Sequence, residues 1–177
     1  FPIVIDEAMK VTSYGSLLKV CKDLLHEKIP IIDMLTIIEA VADIAEFTKA
    51  PEILLEHVRA KLFRLITQKF KDTDGILHIV TIKPELEQQF IGKLQEHHGV
   101  SQLMISIAEI NNLVTKTKKL LDDIEAKGFS KITMVVDPVL RKRISEIYEK
   151  FGLQVSVLSH AELDSKANFA IEGTLEF

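Results

Sequence analysis

Asp137 follows the apolar run Ile132-Thr133-Met134-Val135-Val136, so it sits at the carboxyl end of an expected strand. Open α/β sheets place working carboxylates there, in the crevice beyond the strand ends. A small α/β enzyme or phospho-receiver using Asp137 would want a second acidic group at a neighbouring strand tip and a lysine after a third. The other strands end Thr81-Ile82-Lys83 and Leu158-Ser159-His160, which supply no acidic cluster. Pro138 follows at once, and Asp then Pro is also an ordinary helix start. The carboxylate accepts from a first-turn N–H, and the N–H that proline lacks has no partner to lose. Helix start is the favoured reading, with the enzyme or phospho-receiver as its alternative.

Ser159-His160 sets a hydroxyl beside an imidazole. Adjacent residues rarely reach nucleophile–base geometry, and no G-x-S-x-G elbow precedes them. Ser159 with Glu162 three residues on matches a capping box, in which each side chain satisfies the other's free N–H. His97-His98, with Glu96 and His78, is the one metal-like grouping. Neighbouring histidines on a helix point about 100° apart and cannot both ligate one ion. A solvated helix end before Gly99 is the expected reading, and no metal or cofactor is expected. Seven glycines, each explicable as a helix stop or turn, leave little for a phosphate cradle, and no Walker-type loop or G-x-G-x-x-G occurs.

Four arginines could reach a partner. Arg141 and Arg143 belong to a basic triplet with Lys142 at a helix start, where Glu146 and Glu149 offer ordinary i,i+3 and i,i+4 pairing. Arg59 and Arg64 are five apart and do not share a helix face. They read either as a solvated helix surface or as polar contacts to a neighbouring domain or subunit. The net charge of −4, with neither half basic, argues against nucleic-acid binding.

The elements that position these residues fall into two textures. The first 73 residues read as helical. Ser13 or Thr12 can cap a helix over 15–28, and Pro30 stops it. Asp33 can cap the next, to about 47, which is apolar on most sides and so reads as the central helix of a small helical domain. A third runs over 51–70 with Pro51 at its first position, and residues 1–12 form no complete element of their own. Lys71-Asp72-Thr73-Asp74-Gly75 is a turn cluster and the expected boundary, giving a helical subdomain 1–73 and an α/β subdomain 74–177. The second part reads as a buried strand over 76–82, a helix from Pro84 to about His98 and a longer helix over 106–127. A strand over 131–136, a helix over 138–150, a strand over 153–158 and an edge strand over 168–175 complete it. The expected order is βααβαββ. Strand, helix, strand with a short crossover implies a right-handed βαβ unit and a parallel pair.

Hydrophobic residues make up 47% of the chain, enough for a core, and the single Cys21 on the stripe Leu17, Leu18, Cys21, Leu24, Leu25 is expected to pack rather than react. The chain opens on Phe1, so it reads as a piece of something longer. It contains no apolar run of about 20 residues.

Several motifs carry a resemblance. Glu27-Lys28-Ile29-Pro30-Ile31, Asp33-Met34, Thr36-Ile37-Ile38-Glu39 and Ala42 are similar to a segment of the FlhA family, the export-gate proteins of flagellar and related type III secretion systems. Ile32 stands where that family usually has Arg. Glu56, Val58, Arg59, Leu62, Arg64 and Ile66 continue the likeness, with Phe63 where a small residue is common. Asp137-Pro138-Val139-Leu140-Arg141 with Ile144 extends it, as do Leu153, Val155, Val157-Leu158-Ser159 and Glu162-Leu163.

The resemblance spans about residues 2–175. It implies the carboxyl-terminal half of a cytoplasmic region, attached to the bacterial inner membrane through an upstream part. It further implies a homo-oligomeric, nonameric ring below the export channel. Partners would be export substrates, chaperone complexes, export ATPase components and FlhB, with no bond made or broken. The wording Ile29-Pro30-Ile31 leans to the flagellar branch over the virulence branch. A chaperone-binding groove would involve upstream subdomains.

Overall fold

The computed structural model describes residues 2–177, and the chain divides into two compact units, Phe1–Lys69 and Phe70–Phe177. The first unit is built from α1 (Pro2–Ala8), α2 (Tyr14–His26), α3 (Met34–Ala45), α4 (Pro51–Lys61) and α5 (Phe63–Phe70), the last of which runs one residue past its end. Ser13 caps α2 by accepting from the Ser16 N–H, and Asp33 caps α3 by accepting from the Thr36 N–H. Ile37, Ile38, Ala40, Val41 and Ala45 of α3 are buried, and α3 packs against both α1 and α4. The helix expected to be central therefore is.

Two expectations change here. Residues 2–8 do form a helix, with Ala8 as its buried residue. The long helix over 51–70 is two: at Leu62 the N–H is shared between the carbonyls of Val58 and Arg59, tightening the last turn before α5 starts.

The end of α2 is also more specific than a proline stop. The N–H of Ile29 reaches the Leu24 carbonyl and that of Lys28 the Leu25 carbonyl, with Lys28 at φ 63. That is a Schellman motif with lysine in the left-handed position, and Ile29 and Leu24, the two residues such a motif commonly packs together, are both buried. Pro30 lies beyond a helix that has already closed.

The second unit centres on a four-stranded parallel sheet in the order β5-β4-β1-β6, from β1 (Leu77–Ile82), β4 (Ile132–Val136), β5 (Ser156–Ser159) and β6 (Phe169–Leu175). Its helices are α6 (Pro84–Ile91), α7 (Ile107–Glu125) and α8 (Pro138–Lys150). Val80 and Ile82, Met134 and Val136, Val157 and Leu175 alternate onto one sheet face. They join Phe90, Leu113, Leu121, Ile124, Leu140, Ile144 and Tyr148 of the helices in one core cluster. The helical-then-α/β class, the parallel pair across α8 and the edge position of the last strand are all as the sequence implies.

One element is different. The helix from Pro84 ends at Ile91, and a second, two-stranded antiparallel sheet follows, β2 (Leu94–His97) with β3 (Val100–Leu103). Its turn residues His98 and Gly99 have φ 52 and 78, the double left-handed pair that matches hairpin twist. The third parallel strand also begins later than expected, at Ser156. Leu153 is occupied in ending α8, where its N–H meets the Tyr148 carbonyl and Gly152 takes φ 71.

Candidate functional site

The four arginines separate by depth. Arg59 is 1% exposed and pairs with Glu27 at 2.6 Å, whose own side chain is 9% exposed. Glu27 comes from the turn ahead of Pro30 and Arg59 from the inner side of α4, so two segments far apart in sequence are joined by one ion pair. Arg64 is exposed on α5, with its guanidinium 5.4 Å from the centre of the Phe63 ring.

Arg141 is wholly buried. Its Nε lies 3.9 Å from Glu162 Oε1, and its Nη1 donates to the Val157 carbonyl at 3.5 Å. Arg143 keeps 12% exposure and pairs with Glu146 at 3.3 Å. The i,i+3 partner expected for the basic triplet is therefore found for Arg143. Arg141 reaches instead across the fold to the turn after β5. Arg59 and Arg141 are interior guanidinium groups, and of the four only Arg64 is well exposed to solvent. Surface contact by Arg59 or Arg141 would need the side chain to leave its partners.

Asp137 caps α8, accepting from the Val139 N–H at 2.9 Å, while its own N–H donates to Glu87 Oε1 at 2.7 Å. Ser159 and Glu162 form the expected capping box around a short 3₁₀ turn, with both residues buried. Glu162 thus serves two groups, the Ser159 N–H and the Arg141 guanidinium. His97 and His98 are exposed at the hairpin tip rather than at a helix end. Among the described residues no group of three or more His, Cys, Asp or Glu could hold a metal ion.

One heavily bonded carboxylate was not legible from the sequence. Asp72, in the turn before β1, accepts from Ser130 Oγ at 2.7 Å, from the Ser130 N–H at 3.0 Å and from the Lys131 N–H at 3.2 Å. The Ser130 hydroxyl, followed by the backbone N–H of Thr73, holds its carboxyl far below the usual range. It clips the start of β4 to the start of β1. Glu109 is pushed down to about 2, first by Lys93 and then by the capping N–H and hydroxyl of Ser106 at the head of α7. Both are fastenings between elements. A turn-rich sequence such as Lys71–Gly75 signals that a turn exists, but not which distant N–H groups it will receive.

A family model described as the FHIPEP family matches residues 1–168. The chain belongs to the FHIPEP family. It is 39% identical over 176 residues to the flagellar biosynthesis protein FlhA of Helicobacter pylori, covering 99% of this chain and 24% of that protein. With FlhA of Bacillus subtilis it shares 26% over 179 residues, again 99% of this chain and 26% of the relative. The chain therefore spans about a quarter of the length of the curated relatives it matches.

Among solved structures it superimposes on the Chlamydia pneumoniae CdsV protein with a TM-score of 0.87 at 20% identity, covering 99% of this chain and 50% of that one. The nonameric EPEC SctV-C gives 0.86 at 20% identity, with 98% and 52% covered. At such identities the likeness concerns the fold. The departure from the family pattern at Ile32 falls on a side chain that is 78% exposed. No helix among the described residues is long and apolar enough to cross a membrane.

Proposed function

We propose that this chain is part of the cytoplasmic region of a flagellar export-gate protein, a docking and ring-forming piece rather than an enzyme. The observation that carries this is the 39% identity to a flagellar FlhA across 99% of the chain. The role assigned to the chain is to present surfaces to export substrates, their chaperones, FlhB and export ATPase components, beneath a membrane region lying elsewhere in the longer protein. Ring formation is supported by the nonameric assembly of EPEC SctV-C, and binding of a second protein by the complex of CdsV with CdsO, both formed by proteins of this fold.

In this reading Asp137 is a helix cap and the phospho-receiver alternative loses its motive, since the side chain is engaged with the Val139 N–H. Arg64, exposed and carried on a helix of its own, is the arginine best placed for a ring contact, with Arg143 as a second candidate. The test is secretion. Cells whose full-length protein lacks residues 75–177 but is still expressed in the membrane should release no hook or filament protein into the medium. Normal release would mean that this α/β part is dispensable for export. For the ring, Arg64→Glu should weaken self-association of the cytoplasmic region in sedimentation, and an unchanged profile would remove Arg64 from the interface.

A further inference from the structure

His78 lies in the middle of the sheet, on β1, and is 3% exposed. Both of its ring nitrogens are engaged by carboxylates: Nδ1 with Glu172 Oε1 at 2.7 Å and Nε2 with Asp74 Oδ2 at 2.7 Å. The Phe129 ring packs on the imidazole with centroids 4.2 Å apart. Glu172 reaches this position because of a bulge. Ile171 pairs with Ile79 and Gly173 with Val80, which leaves Glu172 as the extra residue of β6. A bulge re-aims a side chain that regular pleating would have sent elsewhere.

The residue after the bulge is packed closely, since a Cβ at Gly173 would come to 2.7 Å from Leu120 Cδ1 on α7 and that side chain would have to shift. The arrangement is therefore built into the edge strand.

A neutral imidazole has one N–H and can donate to one carboxylate only, turning a lone pair toward the other. An imidazolium donates to both. We infer that His78 is a proton-operated fastener, which in its charged form ties the edge strand β6 and the turn at Asp74 to the central strand β1.

The charged groups around it are consistent with this. Asp74 and Glu172 face the ring, and Asp72 in the same turn is occupied by Ser130 and Lys131. The basic residues of the neighbouring turn and strand start are Lys71 and Lys131, and Lys131 Nζ donates to the Lys71 carbonyl. Glu125 and Lys127 at the end of α7 are exposed. On β4 the residue paired with His78 is Ile132, which carries no charge. Burial works against the imidazolium, but the hydrogen bonds to Glu172 and Asp74 outweigh it and raise the histidine above its ordinary value. The fastening is thus complete below the ordinary histidine pKa of about 6.5 and is released as pH rises through the raised value.

The experiment is nuclear magnetic resonance on the 177-residue chain, titrated from about pH 5 to 9, the range in which histidine switches. It follows the His78 ring and the amide protection factors of β6, with β4 as internal reference. His78 should titrate above about 6.5. Across that titration β6 protection should fall roughly tenfold or more relative to β4, the scale of a lost hydrogen bond to a charged group. Glu172→Gln, near in size and still able to hydrogen-bond at a side chain 16% exposed, should keep the fold, lower the His78 midpoint and abolish the step in β6. A midpoint at or below the ordinary value would overturn the inference. So would β6 protection that stays flat through the titration, or a step that persists in Glu172→Gln.

Discussion

Arg59 and Arg64 lie five residues apart and read alike in the sequence, yet their substitutions should behave differently. Glu27→Ala removes the 2.6 Å carboxylate partner of the buried Arg59 charge, and breaking a buried pair costs up to about 3–5 kcal/mol. Replacing both residues by apolar ones of similar volume should cost far less. Arg64→Ala, at an exposed site, should stay within about 0.5 kcal/mol of the native chain. Urea denaturation midpoints separate the three. The depth of Arg59 and Arg141 was not legible because helical spacing describes only neighbours on the same helix. Glu27 lies thirty-two residues from Arg59, and Glu162 lies on the turn after a different strand. The caps at Ser13, Asp33, Asp137 and Ser159 were legible, because each acts on an N–H group two or three residues away.

Among the elements, two helix ends invite direct comparison. Helices α2 and α8 close with the same pair of backbone bonds, but the left-handed position holds Gly152 in α8 and Lys28 in α2. A Cβ in that conformation costs roughly 1–2 kcal/mol, so Lys28→Gly should raise stability by about 0.5–1 kcal/mol, read as a higher melting temperature. On β6 the reverse holds. Gly173→Ala should push the end of the Leu120 side chain aside at a cost of about 1 kcal/mol, and should cost less in a chain already carrying Leu120→Ala. The β2–β3 hairpin shows where pattern reading loses its grip. His98-Gly99 reads as a helix end, but glycine after a polar run closes a helix and turns a hairpin equally well, and here it turns a hairpin. Four-residue strands with exposed faces give too little alternation to decide between them.

At the scale of the molecule, the core cluster of the second unit draws only on residues between Val80 and Leu175. A fragment spanning 70–177 should therefore keep its helix and sheet signals in circular dichroism and unfold cooperatively; a flat melting curve would show that it depends on the first unit. The sheet order carries a consequence for how that unit comes into being. β1 is the first strand made and β6 the last, yet they lie side by side, with Leu77 opposite Phe169. Roughly 90 residues must leave the ribosome before that pairing can form, an interval on the order of 5–20 s at ordinary rates of synthesis. Until then one edge of β1, a strand buried at Leu77, Ile79, Val80 and Ile82, has no neighbour, and a nascent chain in that state is a template for foreign strands. The position that gives β6 its exposed edge in the finished protein makes it the last bolt drawn during birth.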